Sequence, residues 1–173
     1  MVVLGWDPAD THTTNFWTEL ASTTLTSDQS TISSGTFTAK KYLMFSMFSK
    51  QSSTGDPRLR FNSDSTTTYS QRRSTNGGAD TTDISITGIV NLHPSIADKP
   101  SFIWGYIINV SSKEKLVIVH NVDYGGSGAG MVPNRVEEVA KWANTSSQIT
   151  SLDWSLNTGN YRSGTILKVW GSD

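Results

Sequence analysis

The sequence contains no cysteine, which excludes disulfide frameworks, thiolate metal sites and cysteine nucleophiles. Charge is sparse as well. Asp, Glu, Lys and Arg together make up 17% of the 173 residues, against roughly 25% in ordinary soluble domains. Neither sign dominates, the formal net charge being -1. The basic surface that a phosphate backbone demands is therefore not expected, and nucleic acid is not an expected partner. Long hydrophobic runs are missing too. The strongest apolar stretches, residues 42–48 and 102–110, fall far short of the roughly 20 residues of a membrane-spanning helix, so no membrane partner is expected. The opening Met-Val-Val-Leu-Gly-Trp-Asp-Pro has neither a basic lead nor a long apolar core, so the reading is of no signal peptide and synthesis in a cytoplasm.

What is abundant points to β-structure. Ser and Thr fill about a quarter of the chain, and aromatics account for 10%, six of them Trp. Both suit strands and polar turns better than helices. Short apolar or alternating runs recur between Gly, Pro, Asn, Asp and Ser clusters. They cover residues 15–25, 36–49, 58–62, 83–91, 102–110, 116–121, 135–143, 148–156 and 165–170. Within 36–49, Leu43, Phe45 and Met47 share one face and Tyr42, Met44 and Phe48 the other. A strand apolar on both sides belongs in the middle of a sheet with both faces covered. Residues 136–142 could place Val136, Val139 and Ala140 on one helix face or Val136, Ala140 and Trp142 on one strand face, and strand is favoured. Residues 63–80 read as polar and turn-rich, with Asn76-Gly77-Gly78 as a tight turn. The expectation is an all-β, two-sheet antiparallel jelly-roll sandwich of nine to ten short strands over residues 15–173. Residues 1–14 would form an N-terminal arm that orders against a neighbouring subunit, since Trp6 sits there in a polar, Pro-containing lead-in.

No chemical motif survives close reading. Gly125-Gly126-Ser127-Gly128-Ala129-Gly130 has neither the dinucleotide nor the phosphate-loop spacing and reads as a mobile inter-strand loop. His12, His93 and His120 are widely separated and form no metal-ligand spacing. No nucleophile elbow occurs, and the four glutamates nominate no acid–base pair. Asp56, Asn62 and Asp64 could offer oxygen ligands to a cation, but turn chemistry explains them without one. The expectation is of no catalytic residue, no cofactor and no metal; a small hydrolase is the remotest alternative. Trp104, Trp142, Trp154 and Trp170 lie in strand-like runs, where core packing is the default. Trp6, Trp17, Tyr69, Tyr124 and Tyr161 sit nearer segment ends and loops. They are the candidate contacts to a neighbouring subunit or, as the alternative, to a glycan.

Four stretches carry a resemblance. They are Ile32-Ser-Ser-Gly-Thr-Phe-Thr-Ala-Lys-Lys-Tyr-Leu43, Leu59-Arg-Phe-Asn-Ser-Asp-Ser65 continuing to Tyr69-Ser-Gln-Arg72, Lys141-Trp-Ala-Asn-Thr-Ser-Ser-Gln-Ile-Thr-Ser-Leu152 and Tyr161-Arg-Ser-Gly-Thr-Ile-Leu-Lys-Val-Trp-Gly171. Together they resemble small virion structural proteins of tailed phages and of viruses with similar virions. In such proteins the closing strand often ends in Tyr-Gly after a Gly-Ser start; here Thr165 follows Gly164 and Trp170 stands in the Tyr place. The resemblance implies a jelly roll that trimerises and serves as capsid decoration, head fibre or tail-associated part. It implies location in a virion, with the chain itself and major capsid or other virion proteins as partners and a host-surface glycan as the second candidate. It supplies no catalytic residue.

Overall fold

The computed structural model describes residues 16–90 and 97–173. The expected arm over residues 1–14, with Trp6 and His12, lies outside the described residues, as does His93. Twelve strands make up the described chain: β1 (Thr18–Thr24), β2 (Thr31–Ser33), β3 (Tyr42–Lys50), β4 (Pro57–Phe61), β5 (Tyr69–Thr75), β6 (Thr81–Ile86), β7 (Ile89–Val90), β8 (Pro100–Ile108), β9 (Lys115–Asp123), β10 (Asn134–Trp142), β11 (Leu152–Leu156) and β12 (Ile166–Ser172). They form an eight-stranded sheet, ordered β1-β12-β3-β8-β9-β10-β5-β6, and a four-stranded sheet, ordered β2-β11-β4-β7. All pairings are antiparallel. The nested pairing of β1 with β12, β2 with β11 and β5 with β10 is that of one long hairpin rolled across two sheets, the jelly-roll arrangement.

The expected sandwich is therefore present, with twelve strands in place of nine to ten. The stretch that could have been helix is strand, within β10: Val136, Glu138, Ala140 and Trp142 all point inward from it. Two strands had no apolar alternation to show in the sequence. β2 is three residues long with Ile32 alone buried, and β5 buries Tyr69 and Gln71 while its other residues are polar. The run expected over residues 83–91 divides into β6 and β7, which belong to different sheets, at Gly88. Gly88 has φ +150, and a Cβ there would fall 2.9 Å from the Leu59 carbonyl oxygen, so the bend needs glycine.

The core fills the space between the sheets. From the large sheet come Leu43, Phe45, Met47, Ile103, Val117, Val119, Trp142 and Leu167; from the small sheet come Ile32, Leu59, Phe61 and Trp154. Phe45 packs edge-on against Trp154 with ring centroids 6.0 Å apart, and Phe61, Tyr69 and Trp142 form a second aromatic group at 5.9 to 6.2 Å. Gly105 gives Phe45 its room: a Cβ there would sit 2.6 Å from the Phe45 ring. β3 lies inside the large sheet as expected, but only its inner face is covered. Its other face, expected to be covered as well, is left open by the described residues, with Tyr42 and Phe48 exposed.

Candidate functional site: the outer face of the large sheet

Strand register builds the site. Reading across the large sheet on its outer side, Tyr42 is beside Ile108, Ile108 beside Leu116, and Leu116 beside Lys141. The next row runs Met44, Tyr106, Ile118, Val139, Arg72, and the following one Ser46, Trp104, His120, Glu137. A fourth begins Phe48, Phe102, Val122. Strand period two puts these side chains on one face, since each alternates with a buried core residue. Leu116, Ile118 and Val139 are each about half exposed, at 54%, 50% and 50%. Phe48, Phe102, Ile108 and Val122 are exposed on the same face.

The face is concave at one end. Phe16 and Trp17, just before β1, make one wall, and Ile84 on β6 makes the other. Between them lies a groove of about 800 Å³ floored by Tyr42, Tyr106, Ile108, Leu116, Ile118 and Val139. Trp17 leans onto Tyr106 at 6.1 Å. Charged pairs stand around the apolar field: Lys141 with Glu114 at 2.8 Å, Arg72 with Asp80 at 3.0 Å, and Lys168 with Glu19 at 3.0 Å. An apolar centre framed by paired charges is the anatomy of a protein interface.

Three of the four stretches that carry the sequence resemblance, besides lending Tyr42, Arg72 and Lys141 to this face, meet at a separate inner junction. Asn62 and Ser63 have positive φ (52° and 56°), which turns the chain out of β4. The Asn62 amide nitrogen donates to the Gln148 carbonyl at 2.8 Å, and its oxygen accepts from the Thr150 and Ser151 backbone nitrogens. Ser34 exchanges hydrogen bonds with the Leu152 backbone. Asp64 accepts from the Trp142 indole at 2.7 Å and from Thr66 and Thr68. Partial burial pushes the Asp64 carboxyl up, but these donors outweigh it and hold it near a pKa of about 2. The Asn62 and Asp64 oxygens are thus engaged by the protein's own donors and both act as structural turn residues, while Asp56 accepts from the Asn157 side chain at 3.2 Å. Among the described residues no three His, Asp or Glu come together as a metal group would require.

Of the candidate contacts, Trp17 is on the groove wall and half-buried. Tyr124 is half-buried in the loop after β9, with the Lys99 ammonium 4.9 Å from its ring centre and its hydroxyl against Ser127. Tyr69 and Tyr161 were expected near the surface, but they are buried, at 1% and 0% exposure. Tyr69 reaches inward because its hydroxyl accepts from the Phe61 backbone nitrogen at 3.0 Å. Tyr161 lies between Gln29 and Gln51, bridged to both through its backbone. Neither ring can meet a partner or a glycan at the folded surface. Trp142 and Trp154 are core residues as expected, whereas Trp104 and Trp170 are on the outer face and half-exposed. Trp104 stacks on His120 at 5.1 Å with the planes 18° apart. Sequence reasoning missed Tyr106, Leu116, Ile118 and Val139 as site residues. The signal was the apolar character of both faces of residues 42–48, which called for a covering that the described residues do not provide.

One further group stands apart. Glu138 points into the sandwich from β10, 2% exposed, and neither carboxylate oxygen has a hydrogen-bond partner. Burial raises its pKa to about 8, against the lowering effect of Arg73; Asp83 raises it further.

Neither a family model nor a curated protein matches the chain. Among solved structures, an alginate lyase, Aly36B, in complex with an alginate tetrasaccharide overlaps at 8% identity and a TM-score of 0.32, covering 88% of this chain and 79% of that one. The endo-β-1,4-glucuronan lyase of the fungus Trichoderma reesei overlaps at 13% identity and a TM-score of 0.32, over 99% of this chain and 92% of that one. A high-affinity mannose-binding lectin of Ralstonia solanacearum overlaps at 10% identity and a TM-score of 0.14, over 66% and 96%. At scores this low the likenesses carry nothing over to this chain.

Proposed function

We propose that the chain is a virion structural protein, a homotrimeric capsid decoration or head- or tail-associated part, that assembles through the outer face of its large sheet. The observation that carries the assembly reading is that face itself: contiguous rows of half-exposed Tyr, Phe, Ile, Leu and Val framed by ion pairs. Soluble monomers seldom expose an apolar patch beyond a few hundred Å² unless it binds something. Covering a half-exposed Leu, Ile or Phe contributes roughly 1 kcal/mol each, which several such residues multiply into a stable contact. The virion setting is supported by the resemblance of the four stretches, three of which meet at the Asn62–Asp64 junction and so mark the shared fold. Light scattering tests the assembly: the full chain should have three times its mass of 18.9 kDa, and a monomer at all concentrations would overturn it. Incubation with undecorated capsid shells tests the setting, where co-sedimentation is expected and its absence counts against a capsid role.

A second reading, glycan binding, has its own support in the same face. Trp104, His120, Tyr106 and Trp17 form a chain of ring contacts from 5.1 to 6.1 Å on the open side of the sheet, and flat aromatic surfaces suit sugar rings. A glycan array read with the full chain and with Trp104→Ala would show hits lost on substitution; no hits would end this reading.

A further inference from the structure

The arginines divide by what they meet. Arg72, Arg73, Arg135 and Arg162 each have a carboxylate within 3.6 Å. Arg58 and Arg60 on β4 have no such partner among the described residues, although both are half-buried. Arg60 donates to the Thr87 carbonyl at 2.8 Å, while the Arg58 guanidinium meets no acceptor among the described residues. Holding a charge partly out of water without a counter-charge is unfavourable. Two of them on alternate residues of one strand face, about 7 Å apart along the strand, also repel each other. We infer that the cleft around Arg58, on the outer face of the small sheet, binds an oxyanion, the carboxylate or phosphate group of a small polar ligand. This site stands apart from the assembly proposed above, which uses the other sheet.

The surroundings fit such a ligand. Arg58, Arg60, Ser155 and Asn157 line a cleft of about 280 Å³, together with Asp56. That is just below the roughly 300 Å³ at which sites for drug-sized ligands begin, so the ligand is small. Register sets Ser155 directly beside Arg58 on β11 and Val90 beside it on β7. The Arg58 stem lies across the bend at Gly88, where a Cβ would fall 2.8 Å from its Cγ and 3.0 Å from its Cδ. Glycine thus leaves room for the stem, and the packed stem limits where the guanidinium can go. The carboxylates nearby are engaged elsewhere. Asp153, beside Arg60, accepts from Ser33, Ser63 and Ser151. Asp56 accepts from the Asn157 side chain at 3.2 Å and gives its backbone nitrogen to the Asn157 amide oxygen at 2.7 Å. A planar guanidinium fork binds a carboxylate or a phosphate through two parallel hydrogen bonds, which gives the unpaired Arg58 its use.

Calorimetric titration of the full chain at fixed ionic strength, which holds general screening constant, tests the site. The probes are inorganic phosphate and glucuronate, with glucose as the neutral control. At least one anion should bind saturably and glucose should not. Binding of phosphate alone identifies a phosphate ligand, of glucuronate alone a carboxylate ligand, and of both a site that reads only the oxyanion. Arg58→Gln should weaken the binding tenfold or more. Lys113→Gln, which removes one positive charge from the turn between β8 and β9, should leave it within twofold. If Arg58→Gln fails to fold, Arg58→Lys keeps the charge without the fork and should weaken binding at least threefold. Saturable binding of neither anion, equal binding of glucose, or unchanged affinity in the Arg58 variant would overturn the site. A chain that stays monomeric yet binds would overturn the assembly and leave the site in place.

Discussion

The two sheets turn very different outer faces to solvent. The small sheet shows Thr31, Ser33, Arg58, Arg60, Asp153 and Ser155 outward, with Val90 beside Arg58, and polar bonds tie this face down: Ser33 to Asp153 at 2.6 Å, Arg60 to the Thr87 carbonyl at 2.8 Å. The large sheet shows Tyr42, Tyr106, Ile108, Leu116, Ile118 and Val139. Both sheets already bury an inner face in the core, so fold stability does not require this difference. A strand needs one apolar face to make a sandwich, and the small sheet stops there. The second apolar face of the large sheet is therefore best explained by something that covers it.

Substitutions can break or sharpen this contrast. The largest effect should come from behind the apolar face: Phe45→Ala, between the sheets at 0% exposure, should cost about 3–5 kcal/mol in urea unfolding. Glu138→Gln on the same inner side should change the pH dependence. The acid is protonated in both states below its unfolded value of 4.5 and ionises first in the unfolded chain, so wild-type stability falls as pH rises from 4.5 to about 8 and then levels off. The variant should lack this slope in melts taken across that range. On the apolar outer face, Leu116→Lys with Ile118→Lys should leave the subunit's stability within about 0.5 kcal/mol yet weaken association a hundredfold or more in dilution series, about 2.7 kcal/mol. At the junction, Asp64→Asn should cost about 1–2 kcal/mol. Because its folded pKa lies below the usual value of 3.8, the wild-type contribution is present above pH 4 and is lost as pH falls towards 2. Smallest of all, Arg60→Ala on the polar outer face should shift stability by less than about 1 kcal/mol and leave association untouched. An equal loss of association from Arg60→Ala and from the Leu116 and Ile118 pair would erase the contrast.

The sequence disclosed the sandwich because short apolar or alternating runs, such as Leu59 and Phe61 between Arg58, Arg60 and Asn62, recur between turn residues. It also held the clue to the outer face in Tyr42, Met44 and Phe48, which are apolar where a one-sided strand would be polar. What alternation could not show is which polar-looking segments become strands. β5 is held by its place between β10 and β6 and by Gln71, which bonds to Asp83 and to both backbone groups of Val90. Those partners are distant in the chain. The same limit hid Tyr69 and Tyr161, whose burial depends on what arrives from elsewhere and not on the residues beside them. The Trp residues divided by register: Trp142 and Trp154 point inward, Trp104 outward, and a shift of one position would have reversed each.

β12 is inserted between β1 and β3, and this fixes an order of events during synthesis. As the chain leaves the ribosome, β1 has no partner and β3 has one bare edge until residues 166–172 emerge. Bare strand edges invite pairing with other chains. Closure of the large sheet therefore waits for residues 166–172, which join strands far apart in sequence, so folding should be slow and all-or-none. Stop codons or proteolytic cuts that remove β12 would then release not a smaller sandwich but an unzipped, aggregation-prone chain.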